Sequence, residues 1–331
     1  MKYRKIGNTP LELSVITFGA WAAGGWMWGS TDRNEAVRAI QAGFEHGVTS
    51  IDTAPIYGQG TSEEIVGQAI KAMPRDQVQV VTKYGMRWDL NKGQFGFKSQ
   101  DNSGKEIDIY KYAGKESIIY ECEQSLKRLG TDYIDLYQIH WPDETTPIHE
   151  TMEAVSSLIQ AGKVRYAGVC NYSAAQVKEA DEILHIASNQ IPFSMVKRDA
   201  ELETIPYCIK HGKSVLAYSP LERGLLTGKI TENYRFAEGD HRATHRFFSP
   251  EWVRRTNTFL NRIKPLANDK NVTLSQLVLG WTIQHPGITI ALAGARNADQ
   301  SVSNALSASV FLTDEEVQLI NSELEVLHGA R

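Results

Sequence analysis

The sequence is poor in cysteine. Its three, Cys122, Cys170 and Cys208, are widely spaced and form no C-x-x-C pair. No disulfide framework or thiolate metal site organises such a chain, and a reducing cytoplasmic compartment is expected. No apolar run reaches the roughly 18 residues of a membrane span, and no apolar signal segment opens the chain, so no membrane association is expected. Neither charge sign dominates. Lys and Arg total 35 against 39 Asp and Glu, a net charge of −4, which gives no electrostatic case for nucleic acid. Phosphate-loop, zinc-protease, calcium-loop and serine-hydrolase motifs are missing, and no metal site is expected. The dinucleotide fingerprint is missing too. Gly58-x-Gly60-x-x-Glu63 lacks the third glycine and stands several residues past its strand.

What is present begins at residues 50–70, SIDTAPIYGQGTSEEIVGQAI. Apolar residues run into Asp52, and Tyr57 precedes a Gly-Gln-Gly turn. Thr61 and Glu64 have capping-box spacing. Ile65, Val66, Ala69, Ile70 and Met73 then mark one helix face. The stretch reads as strand, loop and helix, with two ionisable groups at the strand's carboxyl end. Ligands bind at that end in parallel α/β folds.

The same alternation runs along the whole chain. Segments 3–6 and 10–13 flank the Gly7-Asn8 turn and predict an N-terminal β-hairpin. Strands are expected at 15–20, 49–54, 78–84, 133–141, 164–170, 188–193, 214–220 and 288–294. Helices lie between them, including 199–211, 250–269 and 273–284. Thr146-Pro147 reads as a helix start. Residues 85–114 read as a long loop, and extra helices end the chain. Eight strand–helix units without a linker predict a single (β/α)8 TIM barrel domain over residues 1–331.

Asp52, Tyr57, Lys83 and His140 fall at or just after the ends of the second, third and fourth strands. In a barrel those ends share one face, so four ionisable groups converge. The set suits proton transfer to a carbonyl oxygen. A free phenol titrates near ~10, and a neighbouring ammonium favours its ionised form. Asp52 holds the ammonium, and His140 orients the substrate oxygen.

Taken together, DTAPIYGQGTSEEIVGQAI (52–70), VVTKYG (80–85), SLKRLGTDYIDLYQIHWPD (125–143), GKVRYAGVCNYS (162–173), LAYSPLERGLLTGK (216–229) and ALAGARNADQSVSNAL (291–306) resemble the aldo-keto reductase superfamily. The likeness is to the bacterial branch of general stress and inositol-operon reductases. It implies NADP(H) bound without a glycine-rich loop, and Tyr57 as general acid and base, its pKa lowered by Lys83 and Asp52. It implies that Asn171 and Gln190 bind the nicotinamide carboxamide, with Phe193 in the place of the stacking ring. Ser219, Pro220, Leu221, Arg223, Gly224 and Lys229 would line the pyrophosphate. Gly294, Arg296, Gln300 and Asn304 would hold the adenosine part, with the Arg296 guanidinium favouring NADP over NAD. The chain departs from the pattern with Phe193 for the usual Tyr, Cys170 for the usual Ser before Asn171, and a longer 85–114 segment.

Five of the seven tryptophans, Trp21, Trp26, Trp28, Trp88 and Trp141, follow strand ends. Such aromatic rims suit small carbonyl, sugar or polyol substrates. An NADPH-dependent carbonyl reductase, monomeric or weakly self-associating, is the reading that fits best. A redox-sensing NADP(H)-binding module of the potassium-channel β-subunit type and a cofactor-free barrel lyase or isomerase are the alternatives.

Overall fold

The computed structural model describes residues 1–29 and 31–329. Eight parallel strands close into a barrel in chain order: Ile16–Gly19, Ser50–Asp52, Gln79–Tyr84, Ile134–Ile139, Val164–Cys170, Ile186–Pro192, Ser214–Tyr218 and Ile288–Gly294. The last pairs with the first, placing Ala293 opposite Phe18. The fold is the (β/α)8 barrel that the alternation predicts. Most strand residues are buried, because helices cover the outer wall and side chains fill the lumen.

The N-terminal hairpin, Tyr3–Lys5 with Glu12–Ser14, plugs the barrel floor. Its Ile6, Leu11 and Leu13 join Val81, Leu136 and Leu216 in the lumen. The lower half is thus packed with hydrocarbon, and the open mouth lies at the strands' carboxyl ends. Two helices, Pro250–Asp269 and Asp314–His328, supplement the outer ring and pack on each other.

Several local expectations are corrected. Residues 85–114 are not a loop. Met86–Arg87, Gln94–Gln100 and Glu106–Lys111 form a three-stranded antiparallel sheet. Its hairpin turn is fixed by Asp101, whose carboxylate accepts N–H bonds from Ser103 and Lys105. Thr61 does not cap its helix. Gly60 takes that position with φ of 101°, and Glu64 pairs outward with Arg33. Thr146 does not cap either, because its hydroxyl donates to Asp143. The 199–211 helix is broken into a turn at Asp199–Glu201 and a short helix, Thr204–Lys210. Pro206 lacks an N–H and is tolerated only in a first helical turn, so the helix restarts just before it.

Helix Thr61–Ile70, which follows the Tyr57 loop, lies very close to the end of helix Lys115–Leu129. A Cβ on Gly67 would come within 2.6 Å of the Arg128 carbonyl oxygen and 2.8 Å of that of Leu129. In an exposed helix Gly→Ala gains about 1 kcal/mol of propensity. Here the carbonyls are backbone and cannot swing away, so overpacking wins. Gly67→Ala is expected to destabilise by ~1–3 kcal/mol net, seen as a lower urea midpoint. An unchanged or higher midpoint contradicts the close approach.

Candidate active site

Barrel closure brings Asp52, Tyr57, Lys83 and His140 together. Lys83 leaves its strand toward the lumen and is almost wholly buried, with 1% of its side chain exposed. Its Nζ donates to Asp52 Oδ1 at 2.6 Å and to the Thr53 carbonyl at 2.9 Å, and reaches the Tyr57 hydroxyl at 3.4 Å. The other Asp52 oxygen accepts from Gln190 Nε2 at 2.7 Å. Tyr57 and His140 keep part of their surface open to the mouth, and their rings meet edge to face at 5.6 Å. The loop bearing Tyr57 is fastened from below. Ser62 donates to the Ala20 carbonyl, and the Thr53 and Ser62 hydroxyls share a bond.

Burial sets the protonation states. It lowers the Lys83 ammonium's pKa, but the Asp52 carboxylate outweighs it and holds the group protonated. Burial pushes Asp52 upward, opposed by Lys83 and Gln190, so the carboxylate depends on those two donors. The lowered pKa expected for the Tyr57 phenol is corrected. Burial pushes it up to about 12, Lys83 pulls down, and Asp52 pushes up. His140 is driven well below the usual imidazole range by burial and then by Lys83. At neutral pH the site therefore holds a protonated phenol and a neutral imidazole beside a buried ion pair.

The second group of expected residues is partly redistributed. Asn171 lies just past its strand with φ of 59°, a left-handed conformation that Asn tolerates. Its Nδ2 donates to the His140 carbonyl, and its Oδ1 accepts from the Tyr218 hydroxyl, both at 3.0 Å. Asn171 and Gln190 each keep one amide hydrogen beyond these bonds. Phe193 is misplaced as a stacking ring. It is fully buried outside the lumen, parallel to Trp281 at 5.9 Å and against His285. The reason is strand periodicity: Phe193 is an odd number of residues from the inward Gln190 and faces the opposite way. Tyr218, half-buried on the lumen side of the Ser214–Tyr218 strand, presents its ring at the mouth instead. Sequence reading misses it, although it directly precedes Ser219 in LAYSP.

The loop after Tyr218 is conformationally strained. Ser219, Glu222 and Arg223 all have positive φ, at 56°, 43° and 53°. Such residues persist where surroundings impose them, and they concentrate at ligand sites. Leu221 packs into the outer core, Gly224 takes φ of 95°, and Lys229 is exposed. Arg223 is mostly enclosed, yet its Nε and Nη1 have no hydrogen-bond partner among the described residues. Across the mouth, Gly294 ends its strand and its carbonyl accepts from Asn304. The Gln300 side chain accepts from the Arg296 N–H. Arg296 Nη2 donates to the Trp28 carbonyl at 2.7 Å.

The tryptophans divide. Trp21 stacks on Tyr57 at 6.0 Å and meets Trp28 edge-on at 5.3 Å. Trp26 is a clamp rather than a rim: its Nε1 donates to Ser99 and to the Gln100 carbonyl, pinning the antiparallel sheet. Trp88 packs beside Met86 and Ile109 and borders a small side cavity with Pro55 and Glu121. Trp141 is exposed, with Lys111 over its ring.

Residues 15–325 match the Aldo/keto reductase family. The chain belongs to this family. It is 39% identical to the aldo-keto reductase YhdN of Bacillus subtilis, covering 98% of this chain and 94% of that one. It is 36% identical to an NADH-specific methylglyoxal reductase of Escherichia coli, covering 99% of each. The solved glycerol dehydrogenase of Gluconobacter oxydans superposes with a TM-score of 0.86 at 35% identity, covering 98% of this chain and 95% of that one. An oxidoreductase acting on carbonyl compounds is thereby established as the class. No helix among the described residues is long and apolar enough to cross a membrane.

The depressed His140 pKa makes a prediction about stability. Below the imidazole's ordinary pKa near ~6.5, the unfolded chain binds a proton at His140 that the folded chain does not. Stability must therefore fall as pH drops below that value, by up to about 1.4 kcal/mol per unit from this group, until the depressed folded pKa is reached. His140→Gln removes that share. The pH dependence of the unfolding midpoint between about pH 5 and 6.5 should be shallower in the variant, and parallel curves would show an ordinary imidazole.

Proposed function

We propose that the protein reduces aldehydes or ketones with NADPH and oxidises sugars or polyols in reverse, Tyr57 being the general acid and base. The observation that carries this reading is the contact chain from the Tyr57 phenol through Lys83 to Asp52, with neutral His140 alongside, at the open end of the barrel.

The residues fit a dinucleotide. The two Arg223 nitrogens without a hydrogen-bond partner among the described residues suit a pyrophosphate, as charge-assisted donors in a low-dielectric setting do. Ser219, Pro220, Leu221, Gly224 and Lys229 belong to the same loop. Tyr218 replaces Phe193 as the ring face for the nicotinamide, and the remaining amide hydrogens of Asn171 and Gln190 serve its carboxamide. Gly294, Arg296, Gln300 and Asn304 would hold the adenosine end. A bound reduced nicotinamide supplies a hydride to the carbonyl carbon.

The chain's own residues handle the proton. His140 donates a hydrogen bond to the carbonyl oxygen and fixes its direction. Tyr57, protonated at neutral pH, gives its proton to that oxygen as negative charge grows there. An alkoxide is far more basic than a phenolate, so a raised phenol pKa does not prevent the transfer. Lys83 stabilises the phenolate that remains, and Asp52 keeps Lys83 charged. Trp21, stacked on Tyr57, walls the substrate side.

Cofactor choice rests on Arg296. Its neighbours leave two roles for it: a clamp for a 2′-phosphate, or a tether for the Trp28 loop. The name of the E. coli relative, NADH-specific, shows that likeness alone does not decide between the cofactors. Arg296→Ala is expected to raise the KM for NADPH at least about tenfold more than that for NADH. Equal increases would assign the tether alone.

Tyr57→Phe removes only the acid. Carbonyl reduction should drop by about 10²–10⁴, while NADPH affinity measured by fluorescence titration stays within about threefold. Retained turnover would move the proton donor elsewhere.

A further inference from the structure

The mouth contains one polar cluster that proton transfer through Tyr57 leaves unused, centred on His241. The loop carrying His241 docks on the loop carrying Trp21 and Trp28. The His241 backbone N–H and its Nδ1 both approach the Met27 carbonyl, at 3.2 and 2.6 Å. A carbonyl oxygen only accepts, so Nδ1 carries the proton. In the neutral ring Nε2 is then a lone-pair acceptor. Burial, with Arg223 and Arg242, disfavours the cation and outweighs the support from Met27 and Asp240.

That Nε2 is buried and has no hydrogen-bond partner among the described residues. The indole N–H groups of Trp21 and Trp28 are in the same condition. The three rings form one cluster, His241 lying 5.0 Å from each indole, and Trp21 stacks in turn on Tyr57. Buried polar atoms are nearly always satisfied in folded proteins. One buried acceptor and two buried donors thus lack partners among the described residues in a ring cluster that reaches the phenol through Trp21, and a ligand that carries hydroxyl groups would satisfy them. Apolar indole faces next to them suit the C–H surface of the same molecule.

We propose that His241 is a specificity-determining residue, whose Nε2 accepts a hydrogen bond from a hydroxyl borne beside the substrate carbonyl. The inference rests on the carbonyl-reducing reading of the mouth and goes beyond it in naming the residue that selects a hydroxylated substrate. An unfunctionalised aldehyde enters the same site but leaves Nε2 unsatisfied. A site built to bond a hydroxyl discriminates against the analogue that lacks one.

The test compares glyceraldehyde with propanal, which share a three-carbon chain and differ in hydroxyls. The kcat/KM ratio of the two is measured for the intact enzyme, for His241→Phe, which keeps a ring between the indoles, and for His241→Asn, which keeps a donor and an acceptor. The intact enzyme should favour glyceraldehyde. The ratio should fall at least about tenfold in His241→Phe and recover partly in His241→Asn. Equal losses on both aldehydes, or no change in the ratio, overturn the inference and leave carbonyl reduction standing. A loss confined to the KM for NADPH also overturns it, because the acceptor then faces the dinucleotide. No turnover of either aldehyde by the intact enzyme overturns the functional reading itself, and the inference with it.

Discussion

A lysine ammonium sealed inside the barrel is the constraint on which the site depends. Taking one charge out of water costs several kcal/mol, and a buried charge survives only when paired and hydrogen-bonded. Lys83 meets both conditions through Asp52 and the Thr53 carbonyl. Asp52 in turn requires Gln190. Three strands are thereby held in one register at their carboxyl ends: Asp52 pairs with Val81 beside Lys83, and Gln190 reaches across the lumen. The hydrocarbon plug from the N-terminal hairpin excludes water from below, which strengthens the pair and raises its dependence on geometry.

Strand periodicity then decides which residues share the mouth. Successive side chains alternate between lumen and outer wall, so a one-residue difference in parity separates site from scaffold. Gln190 points inward and Phe193 outward. Tyr218 points inward, and its neighbour Ala217 packs in the outer layer. Resemblance to a family pattern puts a stacking ring at Phe193, whereas parity counted from Gln190 argues against it. The barrel itself and the convergence of Asp52, Tyr57, Lys83 and His140 are legible in the sequence because strand ends are set by local pattern and barrel closure does the rest.

What the sequence hides depends on long-range contacts. The sheet at 86–111 carries an alternating signal in Phe95, Phe97 and Ser99, and in Ile107 and Ile109, but its polar, Gly-dotted composition reads as a loop. Trp26 holds that sheet to the mouth through partners 73 and 74 residues away. Likewise His241 reaches Met27 over a separation of 214 residues. No spacing rule connects such residues. The phenol's raised pKa is equally invisible, since an ammonium neighbour is apparent from sequence and the degree of enclosure is not.

In the proposed reaction, enclosure would also let one side chain serve both directions. Burial and Asp52 favour the neutral phenol, and Lys83 favours the phenolate. The ammonium lies at 3.4 Å from the hydroxyl and pairs with Asp52, so the phenol meets the positive end of an ion pair whose total charge is zero. Such a dipole stabilises a phenolate over a short range without forcing ionisation of the resting site. In that proposal, reduction would begin from the protonated form that burial favours. Oxidation would begin from the phenolate that Lys83 stabilises, and would be favoured as pH rises. On that mechanism pH and substrate supply would set the direction of proton flow, while the same four groups keep their positions.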